Sequence, residues 1–149
     1  MDTRRALVET GAIIQGEGRM IGKTTALYAG LLALLLVGLS INVIRLRWRY
    51  RQGLGDGGHQ ALARAVRVQG NFIEYAPLGL VLLWLLETAG FNALVVHGLG
   101  VALVAGRVAH GWGLNQSDGP SIGRAVGMGL TFTVLILGGV LALYWALLG

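Results

Sequence analysis

Residues 68–86 read VQGNFIEYAPLGLVLLWLL, and whether this stretch crosses a membrane decides the fold. It is long enough: at about 1.5 Å of rise per residue, roughly 20 helical residues cross a hydrocarbon core of about 30 Å. The second half is apolar throughout, but Glu74 stands in the first half. A carboxylate at membrane depth is costly and turns toward the bundle interior or a water-filled cavity. The stretch therefore reads as a span with a buried acid. Working outward, three simpler runs contain no Asp, Glu, Lys or Arg: 24–44, 88–106 and 125–148. The expectation is an all-α membrane protein, a bundle of four transmembrane helices in one domain, 24–149. Residues 59–67 extend the second helix. Residues 1–23, of mixed charge, form either a flexible, disordered tail or an upstream extension of a chain that starts at Met20.

Composition agrees. The chain has 149 residues, 54% hydrophobic and 13% charged, whereas soluble domains carry about 25% charged residues. It has no cysteine, which removes disulfides, thiolate metal ligands and a cysteine nucleophile; no metal site is expected. The net charge of +5 does not point to nucleic acid, because the basic residues cluster at the ends of apolar runs. Arg45, Arg47, Arg49, Arg51, Arg64, Arg67, Arg107 and Arg124 fall on one side of a four-span topology. Positive charge favours the cytoplasm, so segments 45–67 and 107–124 are expected inside and both termini outside, in a bacterial inner membrane. Trp48, Trp84, Trp112, Tyr144 and Trp145 lie near the predicted helix ends, as aromatic belts do. The 25 glycines include Gly123 and Gly127 at GxxxG spacing, which serves close packing either within one bundle or between subunits. Gly22-Lys23-Thr24-Thr25 resembles the end of a phosphate-binding loop, but Glu17 stands where that loop needs glycine, so this reading is rejected.

Chemistry must come from the few polar groups in or near the spans. On the second helix Arg67, Asn71 and Glu74 are four and three residues apart and share one side, with Tyr75 beside them. Pro77 interrupts the local backbone ladder. Arg107 and His110 close the third apolar run, Arg124 opens the fourth, and Arg45 ends the first. An N-terminal helix end already favours anions, and Arg124 adds a full charge there. All four helices thus bring cationic or polar groups to the same membrane face, around one acid. The plain alternatives are a structural Arg67–Glu74 ion pair, headgroup anchoring by the arginines from 45 to 51, and an interfacial histidine at 110.

These residues resemble a known family. Arg67-Val-Gln-Gly-Asn71-Phe-Ile-Glu74-Tyr75-Ala-Pro77 is similar to the second-helix signature of MAPEG proteins, the membrane-associated proteins of eicosanoid and glutathione metabolism. Ile44-Arg45-Leu46-Arg47 resembles the close of their first helix, and Arg107-Val-Ala-His110 their third. The prostaglandin E synthase branch is similar in carrying histidine at the position of His110. The resemblance covers residues 24–149. It implies a homotrimer in which glutathione, as co-substrate, binds between subunits near the cytoplasmic face. Arg45, Arg67, Asn71, Glu74, Tyr75 and His110 would hold the tripeptide, and Arg124 would be the catalytic residue that stabilises its thiolate. The partner substrate would be a hydrophobic small molecule or lipid that arrives from the bilayer. The sequence departs from well-supported enzymes of the family at Leu114, where an aromatic hydroxyl often follows one turn after the His110 position.

Three functions fit these residues. A glutathione-dependent transferase or peroxidase acting on hydrophobic electrophiles leads. A non-catalytic lipid- or glutathione-binding or scaffold protein with the same pocket is second. A small proton-coupled exporter is third, although such exporters place the acid in the first span, which here carries no charge.

Overall fold

The computed structural model describes residues 22–116 and 121–149, with Asn115 and Gln116 described for the backbone alone. Most of the tail expected at 1–23, and residues 117–120, lie outside the described residues. The elements in order are α1 (Lys23–Tyr50), α2 (Gln60–Thr88), α3 (Ala93–Gln116) and α4 (Ile122–Leu148). The all-helical bundle read from the sequence is what forms. By length and composition α1, α3 and α4 are each apolar enough to cross a membrane. The fourth helix, α2, carries Arg64, Arg67, Glu74 and Glu87 and packs against all three others. Among the described residues α1 and α4 do not touch.

Each helix outruns the apolar stretch that announced it. The extension of α2 back to Gln60 matches the expected continuation, and the helix passes through Pro77 without a break. The third helix starts at Ala93 rather than 88, because Gly90 adopts a left-handed φ of 83° and the Asn92 side chain accepts a hydrogen bond from the Leu94 amide. It then runs on to Gln116, which carries Arg107 and His110 into the helix body instead of its edge. Between α1 and α2, Arg51 closes the first helix in the left-handed region, and Gly55, Gly57 and Gly58 also take positive φ. Arg47 Nη1 donates to the carbonyls of Gly53 and Gly55, so this arginine braces the loop.

The core joins Tyr28 and Leu32 of α1, Phe72, Leu83 and Leu86 of α2, Val96 and Leu103 of α3, and Val134 of α4. A second cluster, Val43, Leu62 and Ala65, holds α1 to α2 near the basic end. Gln69 Nε2 donates to Ser40 Oγ at 2.7 Å between the same two helices. The opposite end is tied electrostatically. Glu87, beyond the apolar stretch of α2, accepts the Thr24 and Thr25 amides at 2.9 and 2.8 Å and the Thr25 hydroxyl at 2.6 Å. It therefore caps the N-terminus of α1 from another helix, where free N–H groups and the helix dipole favour an anion.

Glycine sets the α3–α4 crossing. A Cβ on Gly127 would stand 2.5 Å from the His110 amide nitrogen and 2.6 Å from the Gly106 carbonyl oxygen. One on Gly123 would meet Gly113 Cα at 3.0 Å. The GxxxG pair thus serves contact inside one bundle. Gly127→Ala is expected to cost about 1–3 kcal/mol, since backbone must move. Gly98→Ala, where a Cβ meets open space, should be neutral or slightly stabilising; thermal unfolding of both in detergent checks the contrast.

A second expectation concerns acid. Burial pushes the Glu87 carboxyl up, but the hydrogen bonds from Thr25 and Thr24 outweigh it and hold the group below its ordinary value. A carboxyl depressed in the folded state stabilises fold above its unfolded pKa, and that contribution is lost as pH falls through the folded value. The thermal midpoint should therefore drop on acidification below the ordinary carboxylate range. Glu87→Gln should lose about 1 kcal/mol at neutral pH, as for a weakened helix cap, and should show a flatter acid limb.

Candidate functional site

The buried face of α3 runs through Val96, Leu99, Leu103, Arg107, His110 and Leu114, at steps of three or four. That spacing is the inward stripe of a packed helix, so Arg107 stands where an apolar residue is expected. It is 3% exposed. Nη1 donates to Asn71 Oδ1 at 2.8 Å and to the Asn71 carbonyl at 3.4 Å. Nη2 reaches the Thr131 hydroxyl, and Met128 Sδ at 3.6 Å. Thr131 in turn donates to the Gly127 carbonyl at 2.8 Å. The guanidinium also lies over the Tyr75 ring, 5.5 Å from its centroid, at cation–π distance. One side chain therefore links α2, α3 and α4.

All these partners are neutral. No carboxylate among the described residues pairs with Arg107, and its Nε is buried with no hydrogen-bond partner. An ion taken out of water without a counter-charge costs several kcal/mol, and structures keep such groups where charge is used.

The residues singled out on α2 divide between two settings. Asn71 is 6% exposed and faces the bundle. Arg67 and Glu74 form an ion pair, Nη1 to Oε1 at 3.2 Å, with side chains 64% and 48% exposed. Seven residues is nearly two full turns, so these two align with each other, rotated by roughly 40–60° from Asn71. Tyr75 is half-buried and meets Phe132 edge to face, with centroids 5.9 Å apart.

His110 is 7% exposed, one turn beyond Arg107 on α3, with its backbone close against Gly127 of α4. Arg124 follows the α4 cap, where Ser121 Oγ accepts the Arg124 amide and donates to the Gly113 carbonyl. The structure thus gathers Arg67, Asn71, Glu74, Tyr75, His110 and Arg124 at one end of the bundle. Arg45 is exposed on α1, and no hydrogen bond or ion pair joins it to the cluster among the described residues. Arg107 was missing from the set of site residues expected from sequence; the signal that finds it is its place on the buried stripe of α3. Leu114 is buried in the apolar wall one turn beyond His110.

The fold and this site define a small helical membrane protein with a cationic polar cluster at one end of its bundle. The chain belongs to the MAPEG family, whose model matches residues 25–144. It is 42% identical over 121 residues to the inner membrane protein YecN of Escherichia coli K12, an alignment that spans 81% of this chain and 90% of that protein. YecN from an O6:H1 strain of the same species matches to the same extent.

Removing one neutral partner of the buried cation tests the network. Thr131→Val keeps the shape but leaves an Arg107 N–H unsatisfied, and should destabilise the protein by about 1–3 kcal/mol. Thermal unfolding in detergent measures it.

Proposed function

We propose that this chain is a glutathione-dependent membrane transferase or peroxidase acting on hydrophobic electrophiles. The observation that carries the reading is the gathering, at one end of the bundle, of buried Arg107, Asn71 and His110, the Arg67–Glu74 pair on the flank of α2, and Arg124 at the start of α4. Glutathione has two carboxylates, an ammonium and a thiol. Such a ligand needs several cations and one acid, which is the charge pattern of this cluster. Arg67, Asn71, Glu74, Tyr75 and His110 are the residues assigned to holding it, with Arg45 supplied across a subunit boundary.

A free thiol has a pKa of about 8.5, and an adjacent arginine favours the thiolate. We assign that role to Arg124. The thiol proton leaves to solvent, the sulfur lone pair forms a C–S bond to the electrophilic carbon, and a leaving group such as chloride departs with its electron pair. In the peroxidase variant two glutathione thiols reduce a lipid hydroperoxide to alcohol and water and become a disulfide.

The exposure of Glu74 inside the span, paired with Arg67 at its edge, supports contact with a neighbouring copy, because a carboxylate at membrane depth faces a neighbour or a wet crevice rather than lipid; the family resemblance makes that assembly a homotrimer. The similarity to YecN and the arginine distribution support placement in a bacterial inner membrane with segments 45–67 and 107–124 in the cytoplasm.

A second reading rests on Leu114. An apolar side chain one turn after His110 removes a hydroxyl from the pocket, and a protein that binds glutathione or lipid without turnover would tolerate that loss.

Purified protein is expected to conjugate glutathione to a chlorinated dinitrobenzene. Arg124→Ala should lower the rate at least about 100-fold, as for lost electrostatic stabilisation of the reacting group, with the oligomer unchanged in size-exclusion chromatography. Undiminished conjugation in that variant removes Arg124 from the mechanism. Calorimetric binding of glutathione without turnover across a panel of electrophiles selects the second reading.

A further inference from the structure

Arg107 is enclosed on all sides, so it acts on the site through what it holds. A guanidinium has donors and no acceptor. The atom of the Asn71 carboxamide that faces Arg107 Nη1 at 2.8 Å is therefore the oxygen, fixed by chemistry. The two arms of a carboxamide diverge, so holding Oδ1 toward Arg107 directs the Nδ2 donors away from it. Arg107 cannot turn freely in its place, because its other terminal nitrogen is engaged by Thr131, which is itself bonded to Gly127.

We propose that Arg107 is a positioning residue: it sets Asn71 so that this side chain offers N–H donors and no acceptor to the ligand, favouring an acceptor oxygen, as of a carboxylate, at that point. The proposal rests on the glutathione reading and adds to it what the Asn71 position recognises. It also accounts for the composition of the α3 stripe. An apolar residue would fill that place at lower cost than a cation without a carboxylate partner. Bundle packing alone does not need an arginine there; an amide held in one orientation does.

The test uses the full chain in detergent with its asparagine side chains labelled with nitrogen-15. In the ligand-free protein the Asn71 side-chain amide should give a dispersed, ordered NMR signal, identified by its loss in Asn71→Asp. Arg107→Lys keeps the charge but cannot span Asn71 and Thr131, and should leave this amide averaged. Arg107→Met, which needs no polar partner in the bundle, gives the same readout if the lysine variant does not accumulate.

By calorimetry, glutathione Kd should rise about tenfold or more in Arg107→Lys and in Asn71→Asp, the loss of a hydrogen bond to a charged group. Asn71→Asp should nevertheless melt at or above the wild-type temperature, since its carboxylate pairs with the buried guanidinium. That split separates positioning from mere support. An Asn71 amide as ordered in the Arg107 variants as in wild type overturns the proposal, and so does wild-type affinity in Asn71→Asp. Wild-type protein that binds no glutathione defeats the glutathione reading alone; the order of the amide then decides the role of Arg107.

Discussion

A guanidinium buried among neutral groups organises this bundle. Arg107 is tied to Asn71 on α2, to Thr131 and Met128 on α4, and to the face of Tyr75. Because no carboxylate among the described residues neutralises it, each of its hydrogen-bond partners carries part of the cost of burying the charge. Through these contacts one side chain joins α2, α3 and α4.

The glycines make the network reachable. Thr131 meets Arg107 because α4 lies close against α3, and it lies close because Gly106, Gly113, Gly123 and Gly127 carry no Cβ at the crossing. The same approach brings the start of α4, and with it Arg124, to the end of α3 that holds His110. Packing and site geometry are thus one constraint. At the other end Glu87 ties α1 to α2, using one anion to satisfy a helix terminus.

Much of this was legible in the sequence. The apolar runs predicted four helices, and the Arg67–Pro77 stretch marked both the family and the polar face of α2. Charge and hydropathy could not mark where helices end, since α1, α2 and α3 continue past their apolar stretches on local capping and loop geometry. That is why Arg107 and His110 were expected at a boundary and lie inside a helix. Nor could spacing separate Asn71 from Arg67 and Glu74. The three share one side of α2 on a helical wheel, but a rotation of roughly 40–60° puts one inside the bundle and two on its flank. The inter-helix cap by Glu87 pairs residues more than sixty positions apart and leaves no local pattern.

The arginine in the middle of α3 also bears on how the chain enters a bilayer. Of the three helices apolar enough to span, α3 is the least apolar and the most enclosed by its neighbours. On the translocon insertion scale an arginine costs about 2.5–3.5 kcal/mol at the centre of a lone helix, and Arg107, which closes the apolar run of α3, carries a share of that cost. In this bundle that cost is offset only by contacts with α2 and α4. The third helix is therefore poorly suited to partition alone and wait for partners. Its residence in lipid is coupled to assembly, with α4 close behind in the chain and α2 already present to receive the charge.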